Sequence, residues 1–128
     1  YGASVTYANI ESGDDTTFWG LNAYYVPEAS LPSISAGYEM GDPETAKDST
    51  QWFVGLQWDE VGPGTLGVAA GSKGAITEDA TDEMAYEAFY SYPVNDGMTI
   101  TPAVFILENN ETGEEDETGV VVKTSFSF

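Results

Sequence analysis

Eight stretches of this chain alternate apolar with small or polar residues at a period of two, and no stretch of similar length has a helical period. They cover residues 2–10, 17–26, 33–41, 50–59, 65–72, 84–92, 98–107 and 118–128, and clusters of Gly, Pro, Asp, Asn and Glu divide them. In the fourth, Trp52, Val54, Leu56 and Trp58 share one face, opposite Gln51, Phe53, Gly55, Gln57 and Asp59. The sixth sets Met84, Tyr86, Ala88, Tyr90 and Tyr92 against Ala85, Glu87, Phe89 and Ser91, and the last sets Val120, Val122, Thr124, Phe126 and Phe128 against Gly119, Val121, Lys123, Ser125 and Ser127. Successive strand residues point to opposite sides, so each strand has one oily and one mixed face. This pattern predicts an all-β antiparallel sheet; whether its apolar side meets a protein core or lipid is left open.

Composition narrows the possible chemistry. The 128 residues make at most one ordinary domain, and 22 acids against 3 bases give a formal charge of -19. Nucleic acid is excluded as a partner, because Lys47, Lys73 and Lys123 stand too far apart in sequence to form a phosphate-binding patch. With no histidine and no cysteine, the chain lacks disulfides, thiolate nucleophiles, ordinary zinc ligands and Ser-His or Cys-His catalytic groupings. No cofactor, metal or enzymatic role is expected. The longest uncharged stretches, 16–27 and 61–72, fall short of the ~18 residues of a membrane-spanning helix. An aromatic content of 13% opposes a disordered acidic tail. Tyr1 opens directly into alternation, so the chain reads as a mature or truncated piece.

The acid is distributed unevenly. Connections 11–16, 42–49, 73–83 and 108–117 hold 16 of the 22 acids, while the intervening connections 27–32, 60–64 and 93–97 are short and rich in Pro, Gly and Asn. In a meander successive connections lie at opposite ends of the sheet, so about three quarters of the acid gathers at one end. Long acidic loops on one rim and tight turns on the other are the pattern of a bacterial outer-membrane barrel. Strand lengths near ten residues match the ~9 to 11 that a tilted membrane strand needs.

Three stretches resemble a known family. Gln51 to Trp58 (QWFVGLQW), Ala85 to Phe105 (AYEAFYSYPVNDGMTITPAVF) and the closing VVVKTSFSF are similar to the C-terminal half of cyanobacterial outer-membrane porins of the carbohydrate-selective OprB type, and LPSISAGYEM at Leu31 to Met40 looks like the matching hairpin. The resemblance covers nearly the whole chain. It implies the last portion of a larger up-and-down transmembrane β-barrel, preceded in relatives by an S-layer-homology domain and a coiled segment. It also implies passive uptake of small hydrophilic solutes, sugars or inorganic ions including iron, across the bacterial outer membrane. Ser91 stands where relatives commonly carry a basic lumen residue, so an arginine ladder is not expected. The resemblance also gives Phe126 and Phe128 a role: an aromatic strand end is the assembly signal that the barrel assembly machinery reads, physically a free edge open to strand addition.

Candidate site residues follow from the faces. Glu39, Gln51, Gln57, Asp59, Glu87, Ser91 and Lys123 lie opposite the apolar side and would line the pore; on a soluble sheet they would simply be solvated. The external acidic loops contribute Glu11, Asp14, Asp15, Asp42, Glu44, Glu78, Asp79, Glu114, Glu115 and Asp116. Residues 108–117 (ENNETGEEDE) lack the spaced carboxylates and distal bidentate Glu of an EF-hand, so they read as a solvated loop. Trp52 and Trp58 are six residues apart, about 20 Å along a strand, too close for opposite rims of a ~25 Å apolar band. The girdle in that one strand is partial.

The expectation is a porin segment whose acidic loops favour cations, with outer-membrane lipid, small solutes and ions as partners and a homo-oligomer left open. Two alternatives stand beside it. One is a self-contained eight-stranded outer-membrane barrel whose interior is filled by side chains such as Phe53 and Phe89. The other is an acidic soluble β-sandwich acting as a binding module.

Overall fold

The computed structural model describes residues 1–11, 15–28, 31–44, 48–73, 83–109 and 114–127. Eight antiparallel strands form one sheet in the order of the chain, with no helix among the described residues. They are β1 (Gly2–Ile10), β2 (Thr16–Tyr25), β3 (Ser33–Pro43), β4 (Ser49–Val61), β5 (Gly64–Lys73), β6 (Glu83–Asn95), β7 (Met98–Leu107) and β8 (Glu117–Phe126). Each expected stretch is a strand, with ends within three residues of those read from the alternation. Asp42 corrects one assignment: it belongs to β3, because pairing with Thr17 carries the ladder past Gly41. Asp14, Glu78, Asp79 and Phe128 lie outside the described residues.

The sheet is a single open layer. β1 and β8 are its two edges, and every strand pairs only with its neighbours in sequence. Among the described residues no side chain is fully buried, and Gly41, Gly64 and Gly67 alone count as buried. A sandwich requires two packed sheets, and these strands make one. An isolated layer gains stability from ladder hydrogen bonds and cross-strand side-chain pairs, and its apolar face normally packs on another layer.

The strands are staggered as well as paired. Gly2, at the start of β1, is level in turn with Tyr24, Ser35, Gly55, Ala69, Glu87, Phe105 and Gly119. Gly119 is seven residues from Phe126, the β8 residue at that same end of the sheet. Seven strand steps thus displace the strand ends by seven residues. With a rise of ~3.3 Å and a spacing of ~4.8 Å, the strands lean about 35° from the normal to the line of their ends.

Two hairpins close with two-residue turns. Gly62 has φ 63°, the left-handed value that a Gly-first turn requires, and Pro63 supplies the fixed φ after it. In the Asp96-Gly97 turn, Asn95 Oδ1 accepts a hydrogen bond from the Gly97 amide at 2.9 Å. The register shifts beside both turns, between Trp58 and Val61 and between Pro93 and Asn95, and pairing resumes at Val61↔Gly64 and Asn95↔Met98. Pro102 cannot donate to the ladder, and the β6–β7 pairing is interrupted between Phe89↔Ala103 and Tyr92↔Ile100. There Thr101 Oγ1 donates to Ser91 Oγ at 3.2 Å.

Candidate functional site

Directly paired residues share a face, so the register sorts the strands into two surfaces. One carries Val5, Leu21, Ile34, Val54, Leu56, Leu66, Val68, Val104, Val120 and Val122, with Tyr and Trp among them. It is uncovered: Val120 is 71% exposed and Val122 63%.

Aromatic residues on this oily face fall into two belts. Tyr7, Trp19, Trp52 and Tyr86 each stand three residues inside the acidic end of their strands, and Tyr38 stands five inside. At the other end, Tyr25 and Phe126 close β2 and β8, while Trp58 and Tyr92 sit three residues from the ends of β4 and β6. The positions between are mostly Ala, Val, Leu and Ile. Tyr7 and Trp19 touch with centroids 4.7 Å apart and planes at 59°, and Tyr38 pairs directly with Trp52. Hydroxyl directions follow the same polarity. Tyr86 donates to Glu108 Oε1 at 3.3 Å, towards the acidic end, and Tyr90 donates to the Val61 carbonyl at 2.7 Å, towards the tight turns. A single strand shows only a Trp52–Trp58 pair, whereas the stagger lines that pair up with neighbouring strands.

The opposite face is hydrophilic and rich in glycine. All seven candidate lining residues lie on it, although they are not gathered at one point. Glu39 pairs with Gln51 and Gly20, and Glu87 pairs with Ala69 and Phe105. Gln57 pairs with Gly67 and donates to Asp59 Oδ1 at 2.7 Å. Ser91, Thr101 and Lys123 run side by side across β6, β7 and β8.

Aromatic residues on this face do not stand upright. A Cβ placed on Gly37 would collide with the Phe53 ring, one on Gly67 with Phe89, one on Gly119 with Phe105, and one on Gly2 with Tyr24. Phe18 leans over Gly41 in the same manner, 3.0 Å from such a Cβ. In each case ring and glycine are direct partners on adjacent strands. Each ring covers the backbone its glycine exposes, the arrangement known from aromatic rescue of strand glycines. Phe53 and Phe89, the residues that would fill the interior of a self-contained eight-stranded barrel, lie here over Gly37 and Gly67 of the sheet.

A hollow of about 290 Å³ spans β2 to β6, and its lining includes Asn22, Gly37, Glu39, Gln51 and Phe53. Asn22 and Gly37 were not among the residues singled out from sequence. Their contribution depends on β2, β3 and β4 lying side by side in one register.

Glu11, Asp15, Glu44, Asp48, Glu108, Glu114, Glu115 and Asp116 are spread along the end of the sheet where β1, β3 and β7 finish and β2, β4 and β8 begin. Backbone bonds tie this rim together: the Glu44 amide donates to the Asp15 carbonyl at 3.0 Å, and the Glu108 amide to the Met84 carbonyl at 2.8 Å. Asp116 Oδ1 accepts from the Asn109 amide at 3.2 Å. Among the described residues, no three carboxylates come close enough to hold a metal ion. No helix there is long and apolar enough to cross a membrane, which bears only on helical crossings.

Comparison with family models, with curated proteins and with solved structures found no match.

Proposed function

We propose that this chain is the C-terminal part of an outer-membrane porin barrel through which small hydrophilic solutes and ions, sugars or inorganic cations, diffuse passively. The observation that carries this reading is the uncovered oily face, bounded by two aromatic belts with Tyr86 and Tyr90 hydroxyls directed to opposite rims. Amphipathic rings collect at membrane–water interfaces, and outer-membrane barrels wear them as paired girdles around an apolar band. The belts are about 16 Å apart between backbones once the ~35° lean is allowed for. That is narrower than the ~25 Å band, and rings reaching past the backbone extend it.

The stagger supports the same reading. One residue per strand gives the ~35–45° tilt at which closed barrels are built. Carrying the oily face outward turns the glycine-rich face to the lumen, where leaning rings leave the bore to Glu39, Glu87 and Lys123. Lumen charges of this kind set ion preference. The acidic rim concentrates cations within roughly a Debye length, about 8 Å at physiological salt. Passage requires no bond making, so no catalytic residue enters. Phe126, last residue of β8, lies on the free edge where assembly machinery would add a strand.

The self-contained eight-stranded barrel is the second reading, favoured by an even strand number with tight turns at one end. Reconstitution in planar bilayers tests the proposal. Glu87→Gln should lower cation preference and Lys123→Gln should raise it, with assembly intact. Unchanged reversal potentials in both variants refute the lumen assignment.

A further inference from the structure

The hollow on the hydrophilic face has a composition that selects among solutes. Two adjacent register rows build it. In the first, Asn22, Gly37 and Phe53 lie side by side on β2, β3 and β4; in the second, Gly20, Glu39 and Gln51 do. Gly37 is the floor. Both Asn22 Oδ1 and the Phe53 ring occupy the space that a Cβ there would take. Gly20 and Gly71, at the flanks, keep the walls low.

Each group contributes something different to a ligand. Among the described residues Glu39 has no hydrogen bond or ion pair, and its carboxylate is the only charge lining the hollow. Phe53 adds a π system, which attracts weakly hydrated cations. Asn22 and Gln51 add amide oxygens that accept N–H bonds. A single carboxylate balances one positive charge. A hard divalent ion would need six or more oxygen ligands, several of them carboxylate, and would gain little from an aromatic ring.

We propose that this hollow is a subsite for a small organic monocation, a substituted ammonium or guanidinium group held between the Glu39 carboxylate and the Phe53 ring. It deepens the porin reading by naming one class of permeant, and it rests on that reading for its place in a lumen. At about 290 Å³ the hollow admits a group of choline size.

The test uses the full chain folded in detergent micelles, with choline as the probe and amide NMR shifts of Gly37, Glu39 and Phe53 as the readout. Saturable shifts at these positions are expected at millimolar choline, with sodium at equal ionic strength giving none. Glu39→Gln should weaken binding by about two- to fivefold, the scale of an exposed ion pair. Phe53→Leu, which preserves bulk without the π face, should weaken it by about two- to fivefold. Equal shifts with sodium, unaltered binding in both variants, or stronger saturation by glucose would each overturn the subsite. Failure to conduct in bilayers would instead overturn the porin reading, and the micelle titration reports separately from it.

Discussion

A charge series along β4 separates a lipid-facing surface from a water-facing one. Val54 lies on the oily face two residues inside Trp52 and four from Trp58, so it sits between the belts. At ~3.3 Å per residue and a ~35° lean, it is about 5 Å inward of the upper belt. If this face meets lipid, Val54→Arg should cost about 2–4 kcal/mol, the penalty for a cation near the bilayer midplane of a barrel wall. Thr50→Arg, one residue into β4 at its acidic end, should cost about 0–1 kcal/mol. On the same premise Gln51→Arg, on the opposite face, should be near neutral, because that face would meet water. If the face meets water, Val54 is an exposed residue at 38% and its substitution falls within about 0.5 kcal/mol of the parent. Reversible urea unfolding from phospholipid vesicles, followed by tryptophan fluorescence, measures all three. A flat series, or a Gln51→Arg cost equal to that of Val54→Arg, would refute the outward orientation of the oily face.

Other consequences follow from particular contacts. Gly119→Ala should destabilise the sheet by about 1–3 kcal/mol, since its Cβ meets the Phe105 ring, and Phe105→Leu should relieve part of that cost in a double-mutant cycle; additive costs would show that the ring does not lean there. Gly62→Ala should cost about 1–2 kcal/mol, because φ 63° suits glycine, and urea midpoints compare it with the parent. Tyr90→Phe removes the hydrogen bond to the Val61 carbonyl at the β4–β5 turn and should cost about 0.5–1.5 kcal/mol in the same assay, with no change in ion selectivity.

Strand existence, strand facing and the polarity of charge were legible because all three depend on local order. A period of two assigns faces without knowledge of partners, so Glu39, Gln51, Glu87 and Lys123 could be placed on one side from sequence. Tight turns such as Gly62-Pro63 and Asp96-Gly97 also set the register of their own hairpins. The acidic connections do not, since nine residues separate β5 from β6 and β7 from β8. Pairing across them, including Gly119 with Phe105, depends on how whole strands slide against one another.

Sequence by itself therefore determined that this chain makes eight amphipathic strands with acid at one end, because alternation and turn chemistry act over a few residues. Tertiary structure alone decided three further things: the one-residue stagger that gathers scattered Tyr and Trp into belts, the leaning of Phe53 and Phe89 over Gly37 and Gly67, and the joining of Asn22 to Glu39 in one hollow. Each is a relation between strands distant in sequence. Backbone hydrogen bonding fixes such relations only when the whole sheet is assembled.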